Sequence, residues 1–332
     1  MDIRNRKELK NFASARLSNA QISKKIVVIY AVIVIGLSML TSIINHVLGL
    51  RIDQSGGLSN LGTRSVLSAL QNMLPLVQSA IVMCIELGYL AAMLRIARGQ
   101  YVSPNTLRLG FDRLWVLVRY TILETMIFSG LGFSSLYLGI MIFMITPLSA
   151  PVTELLMPLV SQTSLLDSSV VIPDAVYNQL MQSLLPAFLI CGLIFCAVGI
   201  PLMYRLRMSR YVIIDKPAIG AIAAMRESKK MMHRNALSLF KLDLSLWPFY
   251  AATVLASIVC YGDLIALNLG MALPFSEDVG FFLFYGIYWV LQFAIFYFLR
   301  NKVEVAYALA YDAIRPREEQ NNGVVLGNIF QM

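Results

Sequence analysis

The chain has 332 residues, of which 58% are hydrophobic and only 14% are charged, and its mean hydropathy is +0.69. This composition excludes an ordinary soluble domain and predicts an all-α polytopic membrane protein. The net charge of +8 is interpreted as a record of orientation in the membrane, so nucleic acid is excluded as a partner.

Residues 1–25 are predicted to form a cytoplasmic amphipathic tail. In "IRNRKELKNFASARL", Leu9, Phe12 and Leu17 fall roughly on one helical face with Arg and Lys around them. Such a pattern is typical of a helix at the membrane interface, with its basic side chains reaching the headgroups. The apolar run that follows lacks a clear small-residue cleavage site and is interpreted as an uncleaved anchor.

Six stretches within residues 26–314 are long and apolar enough to cross a bilayer, which takes about 20 residues each. The predicted spans lie near residues 26–50, 67–94, 121–147, 183–204, 245–267 and 279–299. Residues 315–332 are predicted to form a C-terminal tail.

Basic residues are distributed very unequally among the connections. The N-terminal tail has seven, the segment after the second span five, the segment after the fourth nine, and the C-terminal end four. The other connections hold only Arg51 and Arg64, so 25 of the 27 basic residues fall on one side. The positive-inside rule then places both termini in the cytoplasm.

The longest outer connection, about residues 148–182, contains three prolines and the apolar run "VTELLMPLV". It is expected to include a short helix on the outer surface. A connector that closes the helix bundle and a lid that gates a substrate both fit this composition.

The second and fourth spans end with similar sequences, "LRIARGQYVSP" at 94–104 and "LRMSRYVIIDKP" at 206–217. A hairpin duplicated in parallel orientation explains the similarity. Selection for basic residues at every inward exit explains it equally well, and both explanations stay open.

Residues 215–234 are predicted to form a cytoplasmic interfacial helix, with Asp215 as its cap and Pro217 in its first turn. At 100° per residue, one face collects small and methionine side chains, namely Ala221, Ala224, Met225, Ser228, Met231 and Met232. The opposite face collects the basic residues Arg226, Lys230, His233 and Arg234. This basic face either rests near anionic lipid headgroups, receives a protein partner, or binds a phosphate-bearing substrate.

The runs "YVIIDKPAIGAIAAMRESKKMM" and "LFKLDLSLWPF" resemble the core of an uncharacterised bacterial integral-membrane family, domain of unknown function nine hundred and seventy-five. The matching residues are Tyr211, Asp215, Pro217, Ala221, Ile222, Ser228, Met232, Leu239, Phe240, Leu244, Ser245 and Trp247. "RKELKNFASARL" and "LRLGFDRLW" are similar to two further elements of the family. His233 departs from the pattern, which has glycine there, and Pro274-Phe275 replaces a Pro-Tyr element. The resemblance implies a bacterial plasma membrane and six spans, and it supplies no substrate.

Glu86 and Glu124 are the only carboxylates well inside the predicted spans, and Arg119 lies just before Glu124. Ionisable groups at membrane depth often mark a proton or ion pathway. The alternative is a structural ion pair in which Glu86 meets Arg119 across helices.

No nucleotide-binding, metalloprotease or nucleophile-elbow motif is present. The four cysteines lie apart in apolar runs and the chain has two histidines, so neither a metal nor a cofactor is predicted. The sequence therefore indicates a non-enzymatic membrane component, either a transport permease or an accessory subunit of a complex. The alternatives are a scaffold that binds lipid or a protein partner, and an intramembrane lipid-modifying enzyme.

Overall fold

A computed structural model describes residues 5–19, 21–54, 61–162, 174–262, 265 and 277–315. Every regular element within these residues is helical. The chain divides into two compact units, the first formed by residues 1–119 with 207–332 and the second by residues 120–206.

Thirteen α-helices can be followed through the described residues. They are α1 (Arg6–Asn19), α2 (Gln21–Gln54), α3 (Leu61–Ala97), α4 (Leu109–Asp112), α5 (Leu114–Ile145), α6 (Ala150–Gln162), α7 (Asp174–Leu206), α8 (Ser209–Asp215), α9 (Ala221–Met232), α10 (Ala236–Ser245), α11 (Trp247–Cys260), α12 (Glu277–Ile295) and α13 (Asn301–Ile314). Short 3₁₀ helices occupy Pro104–Arg108 and Pro147–Ser149, and a π-helical turn, Phe296–Arg300, joins α12 to α13.

The chain is a multi-pass membrane protein by the length and apolar character of its helices. Five segments within the described residues can cross a membrane, namely Ser23–Ile52, Gly62–Ala97, Leu114–Ile145, Gln179–Asp215 and Phe282–Ile314. The pair α10 and α11 would add a sixth, but the two helices are bent by 66° at Leu246. The number of spans is therefore five or six, against the six predicted.

The bounds of the predicted spans shift in the structure, and the last two predicted spans illustrate the change. The last was predicted to end at 299, but the helix continues through the π-helical turn to Ile314. The fifth was predicted at 245–267, whereas the helical pair begins earlier, at Ala236. Residues 263–264 and 266–267 of that prediction lie outside the described residues, as do residues 1–4 of the predicted tail and residues 316–332.

The predicted single helix over 215–234 is interrupted. Asp215 ends α8, and α9 begins only at Ala221, with Gly220 as its N-cap residue. Asp215 does not cap a helix because its carboxylate is bound by Arg98 and Arg315. Pro217 lies in the intervening turn instead of the first turn of a helix.

Buried residues of the first unit concentrate at one end, which we call the core end. It includes Leu9 and Ala13 of α1, the start of α2, most of residues 84–97 of α3, and most of α13. At the opposite ends of α2 and α3, apolar side chains such as Leu50 and Leu70 are exposed. Apolar helical surface of this kind suits contact with lipid. On α1 the predicted apolar face is divided, because Leu9 is buried and Phe12 is exposed.

The turn after α3 folds back so that the segment 104–112 packs against α3. A Cβ on Gly88 would overlap the backbone of Leu107, and one on Gly110 would overlap the backbone of Cys84. The helix α3 ends at Ala97, and the turn after it contains Gly99, whose φ of 72° belongs to the left-handed region. Glycines at three positions therefore fix the path of the chain after α3.

The second unit contains α5 from residue 120, α6 and α7. Phe143, Val152 and Ala187 form a small buried cluster that joins these three helices. The predicted short helix of the outer connection corresponds to α6, and residues 163–173 of that connection lie outside the described part of the chain.

Candidate functional site

Ten charged side chains meet at the core end of the first unit, and we call them the polar cluster. They are the arginines Arg98, Arg207, Arg210, Arg300 and Arg315 with the carboxylates Glu86, Asp215, Asp243, Glu304 and Asp312. Five positive and five negative charges thus lie together. The cluster carries no net charge, which suits groups withdrawn from water.

α13 and the turn before it supply a large part of this cluster. Arg300, Glu304, Tyr307, Tyr311 and Arg315 follow one another at intervals of four, three, four and four residues. Such intervals place side chains on one face of a helix. The protein encloses this polar face, since most residues of α13 beside it are buried.

Glu86 is held by two arginines from other helices. One carboxylate oxygen accepts from Arg210 at 3.2 Å and the other from Arg300 at 3.3 Å. Arg210 lies on α8, and Arg300 lies in the turn before α13. The predicted partner was wrong. Within the described residues, Arg119 is exposed and forms no ion pair.

Aromatic rings surround the Arg300 guanidinium. Its central carbon lies 4.6 Å from the ring centre of Phe296 and 4.9 Å from that of Tyr30. Tyr30 stacks on Tyr89 at 4.3 Å, and the Tyr89 hydroxyl donates to Asn301 at 2.8 Å. Because cation–π contacts strengthen when water is excluded, these rings help to hold Arg300 beside Glu86.

A second group of ion pairs converges on Asp215. Arg98 donates to one of its oxygens at 2.8 Å, while Arg315 and the Tyr311 hydroxyl each lie 3.0 Å from the other. Arg98 also binds Asp312, with one contact of 2.6 Å. Burial by itself lowers the pKa of Arg98, but its hydrogen bonds and charge interactions with Asp312 and Asp215 outweigh that effect and raise the pKa above its ordinary value.

A third group of contacts centres on Asp243 of α10. Its two oxygens accept from Arg207 and from the Tyr307 hydroxyl, each at 2.7 Å. Arg207 also donates to Tyr250, whose hydroxyl contacts that of Tyr307. These contacts join α10 and α11 to α13.

The geometry of the polar cluster is that of a structural connection between helices. Each of its five carboxylates contacts at least one arginine, and the three groups link α3, α8, α10 and α13. Within the described part of the chain, no three His, Cys, Asp or Glu side chains are grouped as metal ligands. The cluster therefore fixes the arrangement of the helices at the core end.

Glu124 belongs to the second unit, on α5. It is half-buried, and its carboxylate accepts from the Tyr120 hydroxyl one turn earlier at 3.0 Å.

The basic residues of α9 and the following turn form a different kind of surface. Arg226, Lys230, His233 and Arg234 are all exposed, and so is Lys229. Among the described residues none of these five forms an ion pair. On the other side of α9, Ala221, Ala224, Met225, Ser228 and Met232 are buried. We call the five exposed residues the basic face.

Sequence reasoning missed most of the polar cluster. The arginines were assigned to orientation alone, and Asp215 was assigned to a helix cap. The spacing of Arg300, Glu304 and Tyr307 was the available signal, because it repeats a single helical face past the predicted end of the last span.

Together these features define a class: a multi-pass helical membrane protein whose polar cluster lies at one end of its first unit. The chain belongs to the family described as "Protein of unknown function (DUF975)", which it matches over residues 1–318. No curated protein and no solved structure matches the chain.

Proposed function

We propose that this chain is a non-enzymatic accessory subunit of a membrane complex in the bacterial plasma membrane, and that it contacts an anionic partner through the basic face of α9. The orientation that goes with this proposal has both termini and α9 in the cytoplasm. Its support is the distribution of basic residues, 25 of 27 on one side.

The observation that carries the proposal is the contrast between two sets of basic residues. The five arginines of the polar cluster are paired with carboxylates, whereas the five basic residues of the basic face are exposed without ion pairs among the described residues. Glu227, the acidic residue of α9, pairs with Lys216 at 2.7 Å and does not neutralise this face. An exposed surface of one charge favours the binding of an oppositely charged one.

The test is gentle purification from native membranes, followed by mass spectrometry of the bound proteins and lipids. The variant replaces Arg226, Lys230 and Arg234 by Gln. A matched control replaces Lys7, Lys24 and Lys25 by Gln. These lysines are exposed on α1 and α2, so the control changes the net charge by the same amount. We expect the α9 variant alone to lose a bound protein or anionic lipid. Retention of every bound component by the α9 variant would refute the proposal.

A transport permease is the second candidate, and Glu124 favours it. A half-buried carboxylate within a span is costly and often belongs to a pathway. Glu86 is less suited, since both of its oxygens are engaged by arginines. Solute flux in reconstituted vesicles that Glu124→Gln abolishes, but that the α9 variant leaves intact, would support the permease over the accessory subunit.

A further inference from the structure

α10 and α11 are joined by a sharp bend, so the two helices cannot both run along the membrane normal. The bend between them is 66°. If α11 runs along the membrane normal, the ten residues of α10, about 15 Å long, advance only about 6 Å along that normal. With α11 in that orientation, α10 lies nearer to the membrane plane than to the normal.

The bend is supported by side chains of α1. A helix end leaves backbone carbonyls without helical partners. At the end of α10 the carbonyl of Ser245 accepts from Lys10 at 3.2 Å, and one turn earlier the carbonyl of Lys241 also accepts from Arg6 at 3.4 Å. The interruption at Leu246 is thus stabilised by residues distant in the sequence.

α10 is apolar on two sides. Leu239 and Leu242 are fully buried against the protein. The opposite side exposes Leu237, Phe240 and Leu244, which recur at helical spacing, and Leu237 and Leu244 are 65% and 63% exposed. This second apolar side, together with Trp247 at the junction, we call the outer face of α10.

The position of the outer face points to lipid as its occupant. It continues directly into α11, whose Val254, Leu255 and Ile258 are exposed, and α10 and α11 are long and apolar enough for a span when taken as a pair. Trp247, at the junction, is also exposed, as is Trp115 at the start of the spanning helix α5. Tryptophan at the ends of spans is characteristic of the membrane–water interface.

The charge around the outer face agrees with this occupant. Lys241 is exposed on the same side of α10, between Phe240 and Leu244. A lysine in this position can bury its aliphatic stem beside apolar residues while its ammonium group reaches the headgroups. A helix with an apolar side and a flanking lysine fits the boundary between headgroups and acyl chains.

We propose that α10 is an interfacial helix whose outer face is inserted into one leaflet of the bilayer, and that Trp247 anchors its junction with the spanning helix α11. The ligand is the leaflet itself, that is, the acyl-chain and headgroup boundary. This inference stands apart from the proposed function, because it concerns another helix and holds whatever binds to α9.

The test measures the depth of single tryptophans by fluorescence quenching in the full-length chain. One variant keeps Trp247 and replaces Trp115 and Trp289 by Phe. A second variant lacks all three native tryptophans, through Phe substitutions, and carries Phe240→Trp on α10. Each is reconstituted into vesicles whose phospholipids carry bromine either near the headgroup end or near the methyl end of the chain. A matched control keeps Trp289 alone, which is buried within the protein.

We expect both the Trp247 and the Phe240→Trp variants to be quenched more strongly by bromine near the headgroups, at a depth of about 5–10 Å. The Trp289 control should be quenched less by either lipid. Stronger quenching of the Phe240→Trp variant by deep bromine would show that α10 spans the bilayer. Quenching by aqueous iodide instead would place α10 in solvent, and protection from all quenchers would show that protein covers it. Each of these three results would overturn the proposal, provided that the variant elutes as the native chain does in gel filtration.

Discussion

Asp215 connects distant segments of the chain at the core end. Its carboxylate contacts two arginines and a tyrosine hydroxyl that come from two distant parts of the sequence, Arg98 from one and Tyr311 with Arg315 from the other. It is also nearly enclosed, with only 6% of its side chain exposed. A buried charge of this kind is favourable only while its partners remain in place.

Replacing Asp215 by Asn should therefore destabilise the protein strongly, since it leaves Arg98 and Arg315 without their shared counter-charge. Breaking a buried ion pair costs about 3–5 kcal/mol, and the partial exposure of Arg98 favours the lower end of that range. The thermal midpoint of the detergent-purified protein, followed by gel filtration after heating, provides the measurement.

Glu227→Gln is the control for this change, because it also removes the carboxylate of an ion pair, here the pair of Glu227 with Lys216. Both members of that pair are more exposed, so the expected loss is about 0.2–1 kcal/mol. Equal midpoints for the two variants would contradict the role given to Asp215.

At the scale of the helices, sequence patterns predicted their presence better than their ends. Apolar length identified the spanning segments, because the bilayer imposes that length. The start of α9 was misplaced because Asp215 and Pro217 satisfy a local capping pattern, while the choice between a cap and an ion pair depends on Arg98 and Arg315. Arg98 lies 117 residues before Asp215 and Arg315 lies 100 residues after it. A local sequence pattern does not extend over such separations.

The candidate site was predictable to the same limited extent. Glu86 was selected because a carboxylate in an apolar helix is unusual, and it does lie in the polar cluster. Its partners Arg210 and Arg300 were not predicted. Both follow the predicted ends of spans, and the sequence there does not show which helices pack together. The exposed basic face of α9 followed from helical periodicity, which is a local property.

The packing of segment 104–112 against α3 provides a prediction at this scale. Gly88→Ala should destabilise the protein by about 1–3 kcal/mol, because its new methyl group overlaps the Leu107 backbone and only a shift of the whole segment can relieve it. The thermal midpoint again reports the loss.

Gly36→Ala is the matched control, since Gly36 lies inside α2 and a Cβ there meets nothing within 4 Å. Alanine is the better helix former by up to about 1 kcal/mol, so this variant should be neutral or slightly more stable. If Gly88→Ala behaved like Gly36→Ala, the close approach of Leu107 to α3 would be wrong.

At the scale of the whole chain, the number of spans determines whether the two termini lie on the same side of the membrane. Five spans place the termini on opposite sides of the membrane, and six place them on the same side. The segment that decides between five and six is the bent pair of α10 and α11; in our proposal α10 lies in one leaflet and α11 crosses from there. The distribution of basic residues favours six, because with five spans the basic residues near one terminus would face outward.

We therefore expect both termini in the cytoplasm. In a bacterial host, green fluorescent protein fused to either end should fluoresce, since it folds inside the cell, and alkaline phosphatase fused to either end should be inactive. Phosphatase fused after Gln162, at the end of α6, should be active and serves as the control for an outer position. Fluorescence at the N-terminus combined with phosphatase activity at the C-terminus would mean an odd number of spans, so that α11 does not cross and the interfacial placement of α10 loses its anchor.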